Sequence, residues 1–361
     1  MKVGLLTFHS AHNYGAVLQA YATQETIKRL GVEIDCIDYR PNYLIKQRVF
    51  PNLKKQSAIT KLKLIFWSFI LILWKYKRNK GFNDFIESKL HLSKENYLFP
   101  KFKNEYEAYV IGSDQVWNVK LTKGFDDAYW GNFNTKKDAI KISYAASMSN
   151  YNLDVTQKEQ MLTLLKNFNF ISVREDEAKE FIYKNFNKEA TTVLDPTFLL
   201  DKSKWKKIST PPSLNKKYIL VYSIGLRDEA LTIANSLAKQ LDAVVIELTM
   251  MVDKNAILNK YQSTSPEMFL GFFENAECII TTSFHGTSFS IIYNKPFYSI
   301  AHGNDKDNRQ TTILKKLGLM DRFIDRNEKP VFQKINYREV NTKLNILREE
   351  SITFLKKSLS I

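Results

Sequence analysis

ECIITTSFHGTSFSIIYNKPFYSI, residues 277–300, is the stretch on which the fold class turns. Glu277 to Thr282 is an apolar, β-branched run of strand length, and Pro296 to Ile300 is a second. Between them a hydroxyl-rich turn opens a short helical stretch that runs to about Tyr293. Strand, helix and strand over so short a span form a crossover unit, with the strands parallel and the helix laid over them. The turn lies at a strand's carboxyl end, where unpaired backbone N–H groups and the positive end of a helix dipole face any bound anion. Ser283, Gly286 and Thr287 belong to it, and His285 adds a titratable group. The same pattern also reads as an ordinary helix N-terminus with a satisfied histidine, and locally both readings stand.

Moving outward, the alternation repeats in both directions. The second half has strand-like runs at 218–224 and 243–248, a helical stretch at about 228–241, and a helix start at Ser265-Pro266-Glu267. The first half has strand-like runs near 2–8, 33–39, 107–112, 140–146, 170–174 and 191–194, with amphipathic stretches at 16–30, 155–168 and 175–186. Residues 201–216, with Pro211-Pro212, break the pattern. The predicted fold is therefore α/β, with two Rossmann-like doubly wound domains facing a cleft. Residues 1–205 form the first domain, 216–330 the second, and 331–361 a helix packing back toward the junction. Ligands of such sheets bind beyond the carboxyl ends of the strands.

The net charge of +15 is concentrated. Positions 41–80 contain no acid but ten bases: Lys46, Arg48, Lys54, Lys55, Lys61, Lys63, Lys75, Lys77, Arg78 and Lys80. In their midst lies the apolar run Leu64–Trp74, well short of the roughly 20 residues that span a bilayer. This basic apolar insert fits a peripheral contact with an anionic leaflet, or a buried helix with a solvated basic collar. Nucleic acid is disfavoured, since clustered aliphatics are not a stacking platform. Cys36 and Cys278 sit in apolar runs and read as small buried hydrophobes, as expected in a reducing cytoplasm. The opening MKVGLL enters a strand without a leader-like pattern, so a cytoplasmic location is expected.

Other candidates also follow strands. Arg174, in ISVRED, suits bidentate carboxylate or phosphate binding, or an ion pair with Asp176 or Glu177. Asp114, in VIGSDQVWN, could take a hydroxyl proton or serve as a helix cap, and Trp117 could stack on a sugar face. Asn13 and Tyr14 stand in a glycine-containing turn after the first strand, and Arg309 follows an Asp-rich loop. Neither a GxGxxG, a P-loop, an HExxH nor a CxxC occurs, so no dinucleotide, triphosphate or metal is expected.

Taken together, LLTFHSAHNYGAVLQAYA (5–22), VIGSDQVWN (110–118), ISYAAS (142–147), SVRE (172–175), VLDPTFLL (193–200) and TTSFHGTSFSIIYNKPF (281–297) resemble the polysaccharide pyruvyl transferase family. The resemblance implies a GT-B-like pair of domains. It also implies transfer of pyruvyl from phosphoenolpyruvate, a co-substrate, to a sugar of a bacterial capsule or exopolysaccharide or its lipid-linked precursor, with no cofactor. By resemblance Asp114 falls in the acceptor-side motif, Arg174 at the arginine that holds the donor and His285 at the donor-site histidine; from the residues themselves His285 and Asp114 are expected to be catalytic, Ser283, Gly286, Thr287 and Arg309 to bind the donor with Arg174, and Asn13, Tyr14 and Trp117 to face the acceptor. The chain departs from the family at Ser283, where members often carry arginine in Ser-Arg-Leu-His; Arg309 would then supply the missing charge. A nucleotide-sugar glycosyltransferase and a non-catalytic membrane-associated assembly protein are the alternatives on the same fold.

Overall fold

The computed structural model describes residues 1–45, 58–98, 101–102, 105–149, 151–249 and 260–361. Residues 46–57 of the basic insert lie outside the described residues. Strands β1 (Lys2–Leu6), β2 (Glu33–Tyr39), β3 (Leu92–Tyr97), β4 (Ala108–Ile111), β5 (Ile140–Ala146), β6 (Phe170–Val173) and β7 (Thr191–Thr192) form one parallel sheet in the order 3-2-1-4-5-6-7. Strands β8 (Tyr218–Ser223), β9 (Val244–Thr249), β10 (Cys278–Thr281), β11 (Phe297–Ile300) and β12 (Phe323–Ile324) form a second, ordered 12-11-10-8-9. The expected pair of doubly wound domains is what the chain forms. β3 and β12 were not expected: β3, LSKENY, is a largely exposed polar edge strand, and β12 has only two residues.

The helices are α1 (Tyr14–Arg29), α2 (Asn42–Ile45), α3 (Ala58–Lys89), α4 (Val155–Leu165), α5 (Asp176–Phe186), α6 (Lys202–Lys206), α7 (Arg227–Leu241), α8 (Pro266–Asn275), α9 (Phe284–Ile292), α10 (Asn308–Leu317) and α11 (Tyr337–Leu359). Local chemistry sets several starts. Asn13 caps α1 by accepting from Ala16 N, Asp154 and Gln157 close a capping box on α4, and Ser265 with Pro266 opens α8. α9 is buried on every side, which its apolar and small residues allow.

In each sheet the strand order reverses direction at one place, between β1 and β4 in the first and between β8 and β10 in the second. A crevice opens at such switch points, outside the carboxyl ends of the strands. The loops after β1, β4 and β10 carry Asn13, Asp114 and His285 to it.

The two domains share one hydrophobic core, in which Val3, Leu5 and Val110 of the first sheet are continuous with Leu220, Phe269 and Phe289 of the second domain. The Tyr14 ring stacks on Phe269 with centroids 4.3 Å apart, and its hydroxyl donates to the Thr264 carbonyl at 2.8 Å. Arg78, expected in a solvated or lipid-facing collar, is instead 4% exposed. Its Nη1 donates to Tyr14 Oη at 2.6 Å and to the carbonyls of Thr249 and Gln262 at 3.3 and 3.2 Å. The guanidinium also lies over the Tyr14 ring, 4.6 Å from its centroid, so the insert helix α3 is anchored in the second domain. α11 returns to the first domain, where Ser351 Oγ accepts from Leu194 N at 2.9 Å and Arg348 Nε donates to the Phe198 carbonyl at 2.7 Å.

Candidate active site

Arg174 stands at the end of β6, 4% exposed, among three carboxylates. Its Nη1 donates to Asp195 Oδ2 at 2.7 Å, its Nε to Glu175 Oε1 at 3.3 Å, and its Nη2 lies 3.8 Å from Asp114 Oδ1. Burial works against the charged form, but Glu175, Asp195 and Asp114 together raise its pKa further. The Phe284 ring lies 4.3 Å from the guanidinium, which ties the first domain to the α9 turn of the second. Among the described residues Nη2 has no hydrogen-bond partner, although it is buried. A buried donor left unpaired costs about 1–3 kcal/mol, so this is where an incoming anion gains most.

His285 enters from the second turn residue of α9, 7% exposed. Its Nε2 has no hydrogen-bond partner among the described residues and lies 3.8 Å from Asp195 Oδ2. Burial lowers its pKa, and Arg174 and Arg309 add to the effect while Asp195 and Asp114 oppose it. The net effect favours the neutral ring. On its other side it fills the space that a side chain at Gly15 would need: a Cβ there would lie 2.0 Å from His285 Nδ1. A glycine is therefore required at the start of α1 for the imidazole of the other domain to seat.

Asp114 adopts the left-handed conformation, φ 65°, which Asp tolerates better than most residues. It does not cap a helix; its carbonyl accepts from Ser147 N at 2.9 Å and its carboxylate is left toward Arg174 and His285. Arg309, at the start of α10, faces Arg174 and Glu175, and burial followed by the Arg174 charge lowers its pKa. With Arg174, Asp195 and Phe284 it lines a cavity of about 20 Å³. Asp114, Arg174, His285 and Arg309 are thus brought together.

Several expected site residues go elsewhere. Trp117 is 1% exposed, stacks on Trp130 at 4.6 Å and donates to the Tyr129 carbonyl, so it is core and cannot lie on a sugar. Tyr14 is held in the domain interface. Thr287 turns inward to Ser299 Oγ at 3.0 Å. Gly286 is set by packing, since a Cβ would meet Thr281 Oγ1 at 2.0 Å. Ser283, 4% exposed, meets the Tyr222 hydroxyl, and Asn13 is engaged as the α1 cap. The expected cationic pocket is also corrected: Arg174 and Arg309 face Asp114, Glu175 and Asp195, which neutralise them internally.

Two members were missed. Asp195, 1% exposed, accepts at Oδ2 from Arg174 and Ser113 Oγ and at Oδ1 from Thr197 N and Oγ1. Glu175 is fully buried beside Arg174. Their signal was an acid within three residues of a strand's end, in VLDP and SVRE, the same signal that singled out Asp114.

The chain is thus a two-domain α/β protein of paired doubly wound sheets, with an arginine, a histidine and carboxylates brought together beyond strand ends. Polysaccharide pyruvyl transferase matches residues 13–304, and the chain belongs to that family of transferases. No curated protein matches. Among solved structures the chain is similar to UDP-GlcNAc 2-epimerase from Neisseria meningitidis, at 12% identity over 99% of this chain and 94% of that one, TM-score 0.44. It is also similar to E. coli heptosyltransferase WaaC with ADP, at 11% identity over 96% of this chain and 100% of that one, TM-score 0.39.

Proposed function

We propose that this protein transfers the pyruvyl group of phosphoenolpyruvate to two hydroxyls of one sugar in a cell-surface polysaccharide or its lipid-linked precursor, forming a ketal and releasing phosphate. The observation that carries the reading is the convergence of Asp114, Arg174 and His285, from three separate strand ends and both domains, in a chain of this family. Arg174 Nη2, Arg309 and the amino end of α9 hydrogen-bond the donor's carboxylate and phosphate, Arg309 standing in for the arginine replaced by Ser283. Asp114 orients or deprotonates the first hydroxyl, whose oxygen adds to the enol carbon bearing the phosphate. His285 passes the proton given up by that hydroxyl to the terminal carbon, which becomes a methyl group. The second hydroxyl then displaces phosphate, which leaves with that hydroxyl's proton. The space beside Arg174 and Arg309 is about 20 Å³, room for roughly one water.

Exposed Ile72, Leu73 and Tyr76 on α3, in an acid-free basic stretch, support docking of this helix on an anionic inner leaflet, where a lipid-linked acceptor is met. Among the described residues no helix is long and apolar enough to cross a membrane. Phosphate release is to be measured with phosphoenolpyruvate across lipid-linked and free galactosides, mannosides and N-acetylhexosamines. Release with one class, and stabilisation by phosphoenolpyruvate but not by nucleotide sugars, is expected. Stabilisation by a nucleotide sugar alone would replace this reading with glycosyl transfer.

A further inference from the structure

We propose that Asp195 is a positioning residue that holds the hydrogen of neutral His285 on Nε2, leaving the Nδ1 lone pair to handle the proton. The inference rests on the reading of His285 as the proton-handling group, although its first test does not. Asp195 is fixed by four donors: Thr197 N at 3.0 Å, Thr197 Oγ1 at 2.8 Å, Arg174 Nη1 at 2.7 Å and Ser113 Oγ at 3.0 Å. These partners come from three segments, so the carboxylate is locked in place. An ionised carboxylate only accepts.

The ring nitrogen that faces Asp195 is Nε2, 3.8 Å away, buried and otherwise without a partner among the described residues. A lone pair there would oppose the carboxylate's own; an N–H is attracted to it. The neutral ring therefore carries its hydrogen on Nε2. Nδ1, on the Gly15 side, is then the basic atom. The first hydroxyl's proton, taken at Nδ1, gives an imidazolium whose Nε2–H faces Asp195, and the same proton leaves from Nδ1 to the enol's terminal carbon. An acid behind a histidine fixes tautomer and stabilises the cation in the same way in hydrolase triads. The other charges around the ring are Asp114, which favours the cation, and Arg174 and Arg309, which oppose it.

The first test uses the full chain labelled with ¹⁵N-histidine, with His285 assigned by its loss in His285→Gln. Long-range proton–nitrogen correlation at neutral pH is expected to show the Nε2–H tautomer. An Nδ1–H tautomer overturns the proposal, whether or not any acceptor has been found. The second test is Asp195→Asn, which removes the charge and is expected to move the His285 titration, and the limb of the kcat/KM pH profile that follows it, about one unit lower. A folded Asp195→Asn variant with reduced rate and an unmoved limb would make Asp195 structural only. Should that variant fail to fold, the tautomer in the unaltered protein decides. Absence of turnover with every acceptor, together with the Nε2–H tautomer, would count against the pyruvyl-transfer reading and leave the assignment of Asp195 standing.

Discussion

His285, Asp114 and Arg174 each follow a buried strand, and that is why they were legible: a chain reversing at a sheet's edge leaves its next polar residue at the crevice. Side-chain direction was not legible. Trp117 and Tyr14 sit in the same kind of loop, yet both rings turn inward, because a large aromatic gains more from packing on Trp130 or Phe269 than from exposure. Asp195 escaped notice because its partners, Arg174 and Ser113, are 21 and 82 residues away. Replacing His285 with Gln or Asp114 with Asn is expected to lower turnover by about 10²–10⁴ without loss of the folded state, measured by phosphate release and circular dichroism. Gly15→Ala should act through another residue. Its methyl would strike the His285 ring, so a rate loss of about 10² is expected with little change in melting temperature. Unchanged kinetics would show that the imidazole does not need its present seat.

At the scale of elements, the strand and helix pattern was readable because period and capping agree along most of the chain. What it could not give was the role of α3, whose base at position 78 is drawn out of solvent by a phenol, two carbonyls and two rings. Arg78→Ala leaves those acceptors unpaired, and a loss of about 1–3 kcal/mol in unfolding free energy by denaturant titration is expected. β1 and β2 are joined beyond their ladder by His9 Nε2 and Asp38 Oδ1 at 2.9 Å, with His9 fully buried. Burial alone would lower the His9 pKa, but Cys36 and Asp38 raise it from 6.5 to about 10. Because the folded value is the higher one, this stabilisation is whole below about pH 6.5 and is lost as pH climbs through about 10. Melting temperature should therefore fall between pH 7 and 10 more steeply in the unaltered protein than in His9→Gln. Parallel curves would mean the imidazole is neutral throughout.

For the whole molecule, the expectation of two domains facing a cleft captures the sheets but not how closely they are joined. One core runs through both halves, with Tyr14, Arg78 and Gly15 all making their packing partners across the junction. Differential scanning calorimetry is accordingly expected to give a single transition with equal calorimetric and van't Hoff enthalpies. Two resolved transitions would show that the halves melt independently.

The return of α11 onto Leu194 and Phe198 has a bearing on how such proteins can be recombined. A hybrid spliced once, anywhere between the two sheets, would bring along a tail moulded to another protein's surface. Working chimeras need a second splice before residue 337, so that the last helix stays with the half it lies against.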